Sequence, residues 1–265
     1  MYLAARAHMR LLCSIAAAAI NSIGCESSAG TPDAGTIAAI TFNPTLSYGT
    51  VTDVDGNAYK TIPIGTQTWM AENLKASHFS NGDVIIDAST SELWSVVGPA
   101  ACEYPFGAAP NWGAVYGRLY NGHAVLDARN ICPAGWHVPT NDEWTTLDVY
   151  LSGDATAVGR AIQETGTDHW TLGTYTGVTN ASGLTALPGG SRSAANGDGT
   201  PWYSGQNGTG WFWSSTELNN PNDELEYWSL TGVDDAPQFN NGVYMSDGRH
   251  GNEKYMGLSV RCLMD

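Results

Sequence analysis

Cys132-Pro-Ala-Gly-Trp-His-Val-Pro-Thr-Asn-Asp-Glu-Trp144 opens the tract whose reading decides the fold, and Ser259-Val-Arg-Cys-Leu-Met-Asp265 closes it. Thr140 and Glu143 have the spacing of a capping box, and Pro139 stands just before them. Trp144, Leu147 and Leu151 then recur at helical spacing, which predicts a helix from Thr140. A second helix is expected over 156–164, with Ala157, Ala161 and Ile162 inward and Gly166 as its stop. Beyond Trp170 the pattern turns to short strands and long polar loops, with strand candidates at 187–192, 211–215, 227–230 and 258–262. A bridge between Cys132 and Cys262 would staple the helix-bearing segment to the last strand. Closing so long a loop contributes on the order of 4 kcal/mol. Helices followed by short, mostly antiparallel strands predict a stapled α+β domain.

Upstream, Val51-Thr-Asp-Val-Asp-Gly-Asn-Ala-Tyr59 sets alternating apolar residues around Asp-Gly-Asn, a hairpin signal. Asp53, Asp55 and Asn57 also suggest a calcium loop, but an EF-hand register would place Gly at Ala58 and the bidentate acid at Ile64. A turn is the better reading. Trp69, Met70 and Leu74 are expected in the core, and 76–131 reads as irregular strand and loop.

Residues 1–25 carry Arg6 and Arg10, no acidic residue, a short apolar run and a closing Gly24-Cys25. That is the pattern of an export signal, and the run is too short to span a bilayer. The ending resembles a bacterial lipobox, with Ser22 where Leu is usual, so Cys25 is the expected lipidation site. Residues 26–45 read as a flexible tether and 46–265 as the folded domain. The chain is expected to be exported, as an outer-membrane or cell-surface lipoprotein or else in periplasmic or secreted form. Its only membrane contact would be the lipid anchor.

An exported chain permits disulfides. Setting aside Cys13 and Cys25 leaves Cys102, Cys132 and Cys262, an odd number. We pair Cys132 with Cys262 and leave Cys102 as the free thiol, although spacing leaves the other two pairings open.

Acidic residues outnumber basic ones 26 to 11. Two of the basic residues lie in the first 25, so the remainder stands at 26 to 9, near −17. Such a charge repels phosphate backbones and argues against nucleic-acid binding. Lysine occurs only at 60, 75 and 254, whereas the chain has 10 Trp and 12 Tyr. Most of the tryptophans are expected in the core. A surface of neutral polar groups and rings suits sugars or polypeptides.

No Gly-x-Ser-x-Gly elbow, His-Glu-x-x-His helix or phosphate loop occurs. The histidines at 78, 123, 137, 169 and 250 are dispersed, and His137 reads as a hydrogen-bonded structural residue. The most promising binding segment lies at 216–250, rich in amides, carboxylates and rings, and the ligand surface is expected to be drawn from 202–250. The binding candidates there are Trp202, Tyr203, Asn219, Asn222, Asp223, Tyr227, Asn240, Tyr244 and Arg249. Amides and carboxylates bind sugar hydroxyls directly or through calcium, and rings stack on sugar faces. The competing reading is a solvated loop whose Asn, Asp and Gly make turns. No cofactor is expected, with calcium the one possibility left open.

Five blocks resemble, in order, the Fibrobacter succinogenes major paralogous domain. They are Val51 to Lys75, Cys132 to Trp144, Asn180-Ala-Ser-Gly-Leu-Thr-Ala-Leu-Pro-Gly-Gly190, Trp211 to Glu217, and Gly257-Leu-Ser-Val-Arg-Cys262. The resemblance covers roughly residues 50–265 and implies a C-type-lectin-like domain. Many members of that family look like lipoproteins, in keeping with Cys25. Gly135 to Trp144 is also similar to a segment of formylglycine-generating enzymes. Those enzymes need a pair of reactive cysteines near the C-terminus, and here only Cys262 lies there. The Glu-Pro-Asn or Gln-Pro-Asp tripeptide of calcium-dependent lectins is absent, Asn220-Pro-Asn-Asp223 being the nearest approach. The expectation is a non-enzymatic cell-envelope binding or adhesion module. Polysaccharide is its first ligand class, a protein partner or a structural surface role stands as the alternative, and an enzyme of the formylglycine-generating type ranks behind both.

Overall fold

The Asp53–Asn57 turn starts the first sheet, because its carboxylate does the work of a backbone turn. Asp53 Oδ1 accepts from the N–H groups of Asp55 (3.0 Å) and Asn57 (2.9 Å), and Gly56 supplies the left-handed φ of +84°. A computed structural model of the chain describes residues 36–89, 94, 98–102, 111–171, 175–193, 203–218, 224–233, 236–241 and 253–265. Within them the strands are β1 (Gly49–Thr52), β2 (Ala58–Ile64), β3 (Gln67–Met70), β4 (Ile86–Asp87), β5 (Ala100–Cys102), β6 (Leu119–Asn121) and β7 (Trp136–His137). They continue with β8 (Gly189–Arg192), β9 (Tyr203–Gln206), β10 (Gly210–Glu217), β11 (Leu225–Val233), β12 (Ala236–Asn241), β13 (Gly257–Leu258) and β14 (Leu263–Met264).

One sheet runs β1-β2-β3-β14-β7. Its antiparallel register sets Thr52 against Ala58, and the last strand, β14, pairs Leu263 with both Trp69 and His137. The end of the chain is thus sewn between two strands that precede it by more than a hundred residues. The second sheet is ordered β12-β11-β10-β8-β13-β6-β5-β4, with β9 added beside β8. It is mixed: β10 meets β8 and β4 meets β5 in parallel, while the other pairs are antiparallel.

Cys132 and Cys262 form the expected disulfide, with Cα atoms 5.9 Å apart across 130 residues, and Cys102 is free and buried. Four helices are described rather than the two expected: α1 (Trp112–Tyr116), α2 (Gly122–Val125), α3 (Asn141–Leu151) and α4 (Ala155–Ile162). The two short ones fall in the stretch read as irregular. They are single turns, too short for a periodic pattern to declare them. The α3 capping box is present: Thr140 Oγ1 accepts from the Glu143 N–H, and Glu143 Oε2 accepts from the Thr140 N–H at 2.7 Å. The inward face of α4 is Val158, Gly159 and Ile162, and Ala157 points to solvent, against expectation. The reason is Gly159. A Cβ there would meet Pro237 O at 2.5 Å, so the edge strand β12 packs directly on the helix backbone and sets its roll.

Aromatic rings fill the interior. Seven of the nine tryptophans among the described residues are buried, so the described rings mostly build core. Trp69 and Trp144 lie 4.5 Å apart between centroids, and Trp144 donates to Trp213 O at 3.2 Å, tying α3 to β10. Residues 36–45, expected to end the flexible tether, are instead docked in part. Ile37 exchanges hydrogen bonds with the Asn111 side chain, the Thr41 N–H donates to Glu164 Oε1, and Ala38 O faces His169. Ile37, Ile40 and Phe42 pack on the core, which explains why this apolar run departs from a solvated linker. Among the described residues no helix is long and apolar enough to cross a membrane.

Candidate functional site

Among the described residues a cleft of about 340 Å³ opens between the β1–β2 turn, the segment after β3, and α1. Asp55 and Asn57 line it from the turn, Lys75 and Ser77 from the segment after β3, and Gly113, Ala114 and Arg118 from α1 and its exit.

The local sequence places each wall. Asp53 is the post of the turn: its Oδ2 also accepts from Asn57 Nδ2 (2.9 Å) and the Tyr59 hydroxyl (2.6 Å). That hydroxyl accepts in turn from the Lys75 N–H at 2.9 Å, so the turn and the Lys75 backbone share one buried tyrosine. Burial, with Asp53 beside it, drives the Tyr59 phenol far above the tyrosine range, and it remains a donor throughout. The run 73–75 is pinned from the other side. Leu74 O accepts from the Arg118 N–H at 3.0 Å, and Asn73 Nδ2 donates to Tyr116 O at 2.9 Å. Gly117 is required there. Its φ is +76°, and a Cβ would meet Leu74 O at 2.7 Å. The Gly-Arg pair therefore lets α1 approach closely enough to bring Arg118 beside Lys75.

The charges divide the cleft. Burial raises the Asp55 carboxyl, but donors override it: Ser77 N–H (2.6 Å), Ser77 Oγ (3.1 Å), His78 N–H and the His78 ring hold it below the usual carboxylate range. Three of those donors meet Oδ2 and one meets Oδ1, so Oδ1 keeps accepting capacity. Lys75 Nζ bonds Glu72 Oε2 at 3.0 Å and lies 4.9 Å from the Tyr59 ring centroid. Arg118 Nη1 stands 3.9 Å from Asp87 Oδ2. The Lys75 and Arg118 side chains are only 18% and 17% exposed, so neither charge is fully solvated. His78 faces a second cleft of about 240 Å³, bounded also by Cys132 and Pro133.

None of the sequence candidates that the structure describes is among the residues lining this cleft. Trp202, Asn219, Asn222, Asp223, Tyr244 and Arg249 lie outside the described residues, as does Cys25. Asn240 sits in the edge strand β12, in register with Ser229. Tyr203 and Tyr227 correct the expectation of stacking rings: they are 8% and 3% exposed, and both pack in the core. Tyr227 alternates into the interior on β11 opposite Trp213, so strand period decides its fate. His137 is hydrogen-bonded as expected, with Nδ1 2.7 Å from Asp265 Oδ1 and Nε2 3.0 Å from Glu143 Oε1. Cys102 is wholly buried beside Arg192 and Tyr203, and burial pushes its thiol above the usual range. The lining of the described cleft, the turn above all, was passed over in the sequence as a plain hairpin.

Fold and site define a disulfide-stapled, mixed-sheet domain with a polar, charged cleft at one edge of its first sheet. The sequence model of the Fibrobacter succinogenes major domain matches residues 62–264, and the chain belongs to that family. No curated protein and no solved structure matches it.

Proposed function

We propose that this protein is a non-catalytic binding module of the cell envelope, exported through its first 25 residues and tethered at Cys25, whose ligand is a surface polysaccharide. The observation that carries the reading is the cleft: about 340 Å³, lined by amide, hydroxyl, carboxylate and two cations. Convergent donors and acceptors at that size suit one or two sugar rings. The scaffold favours rigid display, since the staple, the buried Tyr59 and Gly117 fix the walls in advance. A lectin-like architecture agrees with the C-terminal strand paired deep within the first sheet and with α3 and α4 packed beside the second. Against catalysis stands Cys102, the one free thiol among the described residues, which is buried and raised in pKa, the opposite of a nucleophile. A surface protein partner is the alternative ligand.

The test is retention of the purified protein on an array of polysaccharides, first with calcium and then with chelator. Retention on at least one polysaccharide is expected, lost in Ala114→Trp, which fills the cleft from an exposed position on α1 without touching the core. Loss with chelator would make the binding metal-dependent. Silence on every polysaccharide, or binding indifferent to Ala114→Trp, overturns the proposal.

A further inference from the structure

This inference rests on the polysaccharide reading and names the sugar class. The chain carries 26 acidic residues against 11 basic ones, and lysine occurs at three positions. One of those lysines and an arginine nonetheless converge on a single cleft, both more than four-fifths withdrawn from solvent. A random draw from so acidic a surface would line a cleft with carboxylates. Lys75 spends one of its three protons on Glu72, leaving two that can meet a ligand anion. Arg118, which stands 3.9 Å from Asp87 Oδ2, carries five donors in a planar fork whose shape matches a carboxylate.

Asp55 decides between kinds of anion. It lines the same cleft with its charge held on by four donors, and Oδ1 can still accept. A phosphate or a dense polyanion would meet that charge at close range and be repelled. A sugar acid would not, because its carboxylate can sit on the Lys75 and Arg118 side while its ring hydroxyls donate to Asp55 and reach the Asn57 amide. The surrounding negative field adds a second filter: it disfavours chains with closely spaced charges and tolerates one carboxylate per sugar, held locally. We infer that the cleft is a subsite for a carboxylated sugar, and that the ligand is a uronic-acid-containing polysaccharide.

The experiment titrates the full protein calorimetrically with galacturonic-acid oligomers and with neutral glucose oligomers of equal length, at low and high salt. The wild type is expected to prefer the acidic oligomer at least tenfold, with the preference shrinking as salt rises. Lys75→Gln and Arg118→Gln should each lower affinity for the acidic oligomer by about tenfold or more, and by more than they lower any neutral binding. Lys75→Arg should retain the preference, and a thermal melt of each variant separates lost binding from lost fold. If the neutral oligomer binds as well as the acidic one and Ala114→Trp abolishes both, the polysaccharide reading stands and this inference falls. If the Gln variants melt like wild type and keep the preference, it falls as well. If neither oligomer nor any arrayed polysaccharide binds, both are overturned together.

Discussion

Arg261 offers the sharpest test of how this chain holds its two sheets in register. It is fully buried, and its acceptors are all neutral: Asn73 Oδ1 at 2.7 Å from Nε, Met70 O (3.3 Å) and Leu184 O (2.5 Å) from Nη1, and Thr185 O (2.9 Å) from Nη2. Burial drags its pKa down to about 9, eased by the charges of Glu72 and Glu164, so it remains charged at neutral pH. Four hydrogen bonds from a charged donor are worth roughly 6–12 kcal/mol gross, at about 1.5–3 each. Burying a guanidinium without a carboxylate partner costs several kcal/mol of that. Thr185 also sits at φ +54°, a left-handed conformation unfavourable for a β-branched residue, and Arg261 and Asn180 hold it there. Arg261→Met keeps the length and removes the donors, and should cost about 3–5 kcal/mol, the range for breaking a buried polar network. Urea unfolding of the oxidised protein, followed by tryptophan fluorescence, reads the loss directly. The melting temperature should fall by roughly 6–20 °C for a domain of this size. Arg261→Lys should recover little, because one ammonium cannot span acceptors on two segments. A loss under about 1 kcal/mol in the Met variant would refute the argument that these bonds organise the core.

The disulfide and two histidines give further expectations. Replacing Cys132 and Cys262 together by Ser should lower stability by roughly 4–5 kcal/mol through the 130-residue loop, and a denaturant midpoint close to wild type would contradict the staple. His169 is fully buried with Nδ1 2.6 Å from Glu164 Oε2 and Nε2 3.0 Å from Ala38 O, so both ring nitrogens face acceptors and the imidazolium is the form that satisfies both. Burial alone would lower its pKa, but the Glu164 bond, with Ala38 O and Asp168, leaves it raised. The edge of Tyr116 also faces the ring, 5.5 Å between centroids. His137, between Glu143 and Asp265, is raised as well. A raised folded pKa means this stability is complete below the unfolded value near 6.5 and lost as pH climbs through the folded value. Stability should therefore decline above neutral pH, by up to about 1.4 kcal/mol per pH unit for His169. His169→Gln should flatten that limb in melts from pH 6 to 9, and an unchanged slope would count against it.

Where local chemistry sets local structure, the sequence was readable. The Asp53 turn, the Thr140 capping box and the buried Trp69, Met70 and Leu74 each follow from neighbours within a few positions. The misread features depend on distant chain. Ala157 lost its inward place to a strand some eighty residues later, whose backbone needed Gly159 bare. Ile37 to Phe42 left the tether because Asn111, Glu164 and His169 wait for them. The strand expected over 258–262 divides into β13 and β14, since the chain must leave one sheet at Leu258 and enter the other at Leu263.

The site was hidden for a related reason. Abundance of rings and amides pointed to 202–250, yet abundance does not distinguish a side chain that faces water from one that a strand turns inward, and Tyr203 and Tyr227 turn inward. Scarcity was the better signal. With three lysines in the chain, Lys75 follows the hairpin motif within one block, and Arg118 follows a glycine that only close packing explains. A rare charge held mostly out of water has to be answered by a partner, and Glu72 answers Lys75 only in part. What remains unanswered faces the same 340 Å³ as an Asp55 oxygen that can still accept. A ligand that carries one carboxylate among hydroxyls would satisfy both at once, and this is why the cleft, more than the aromatic loops, is where substitutions should change binding.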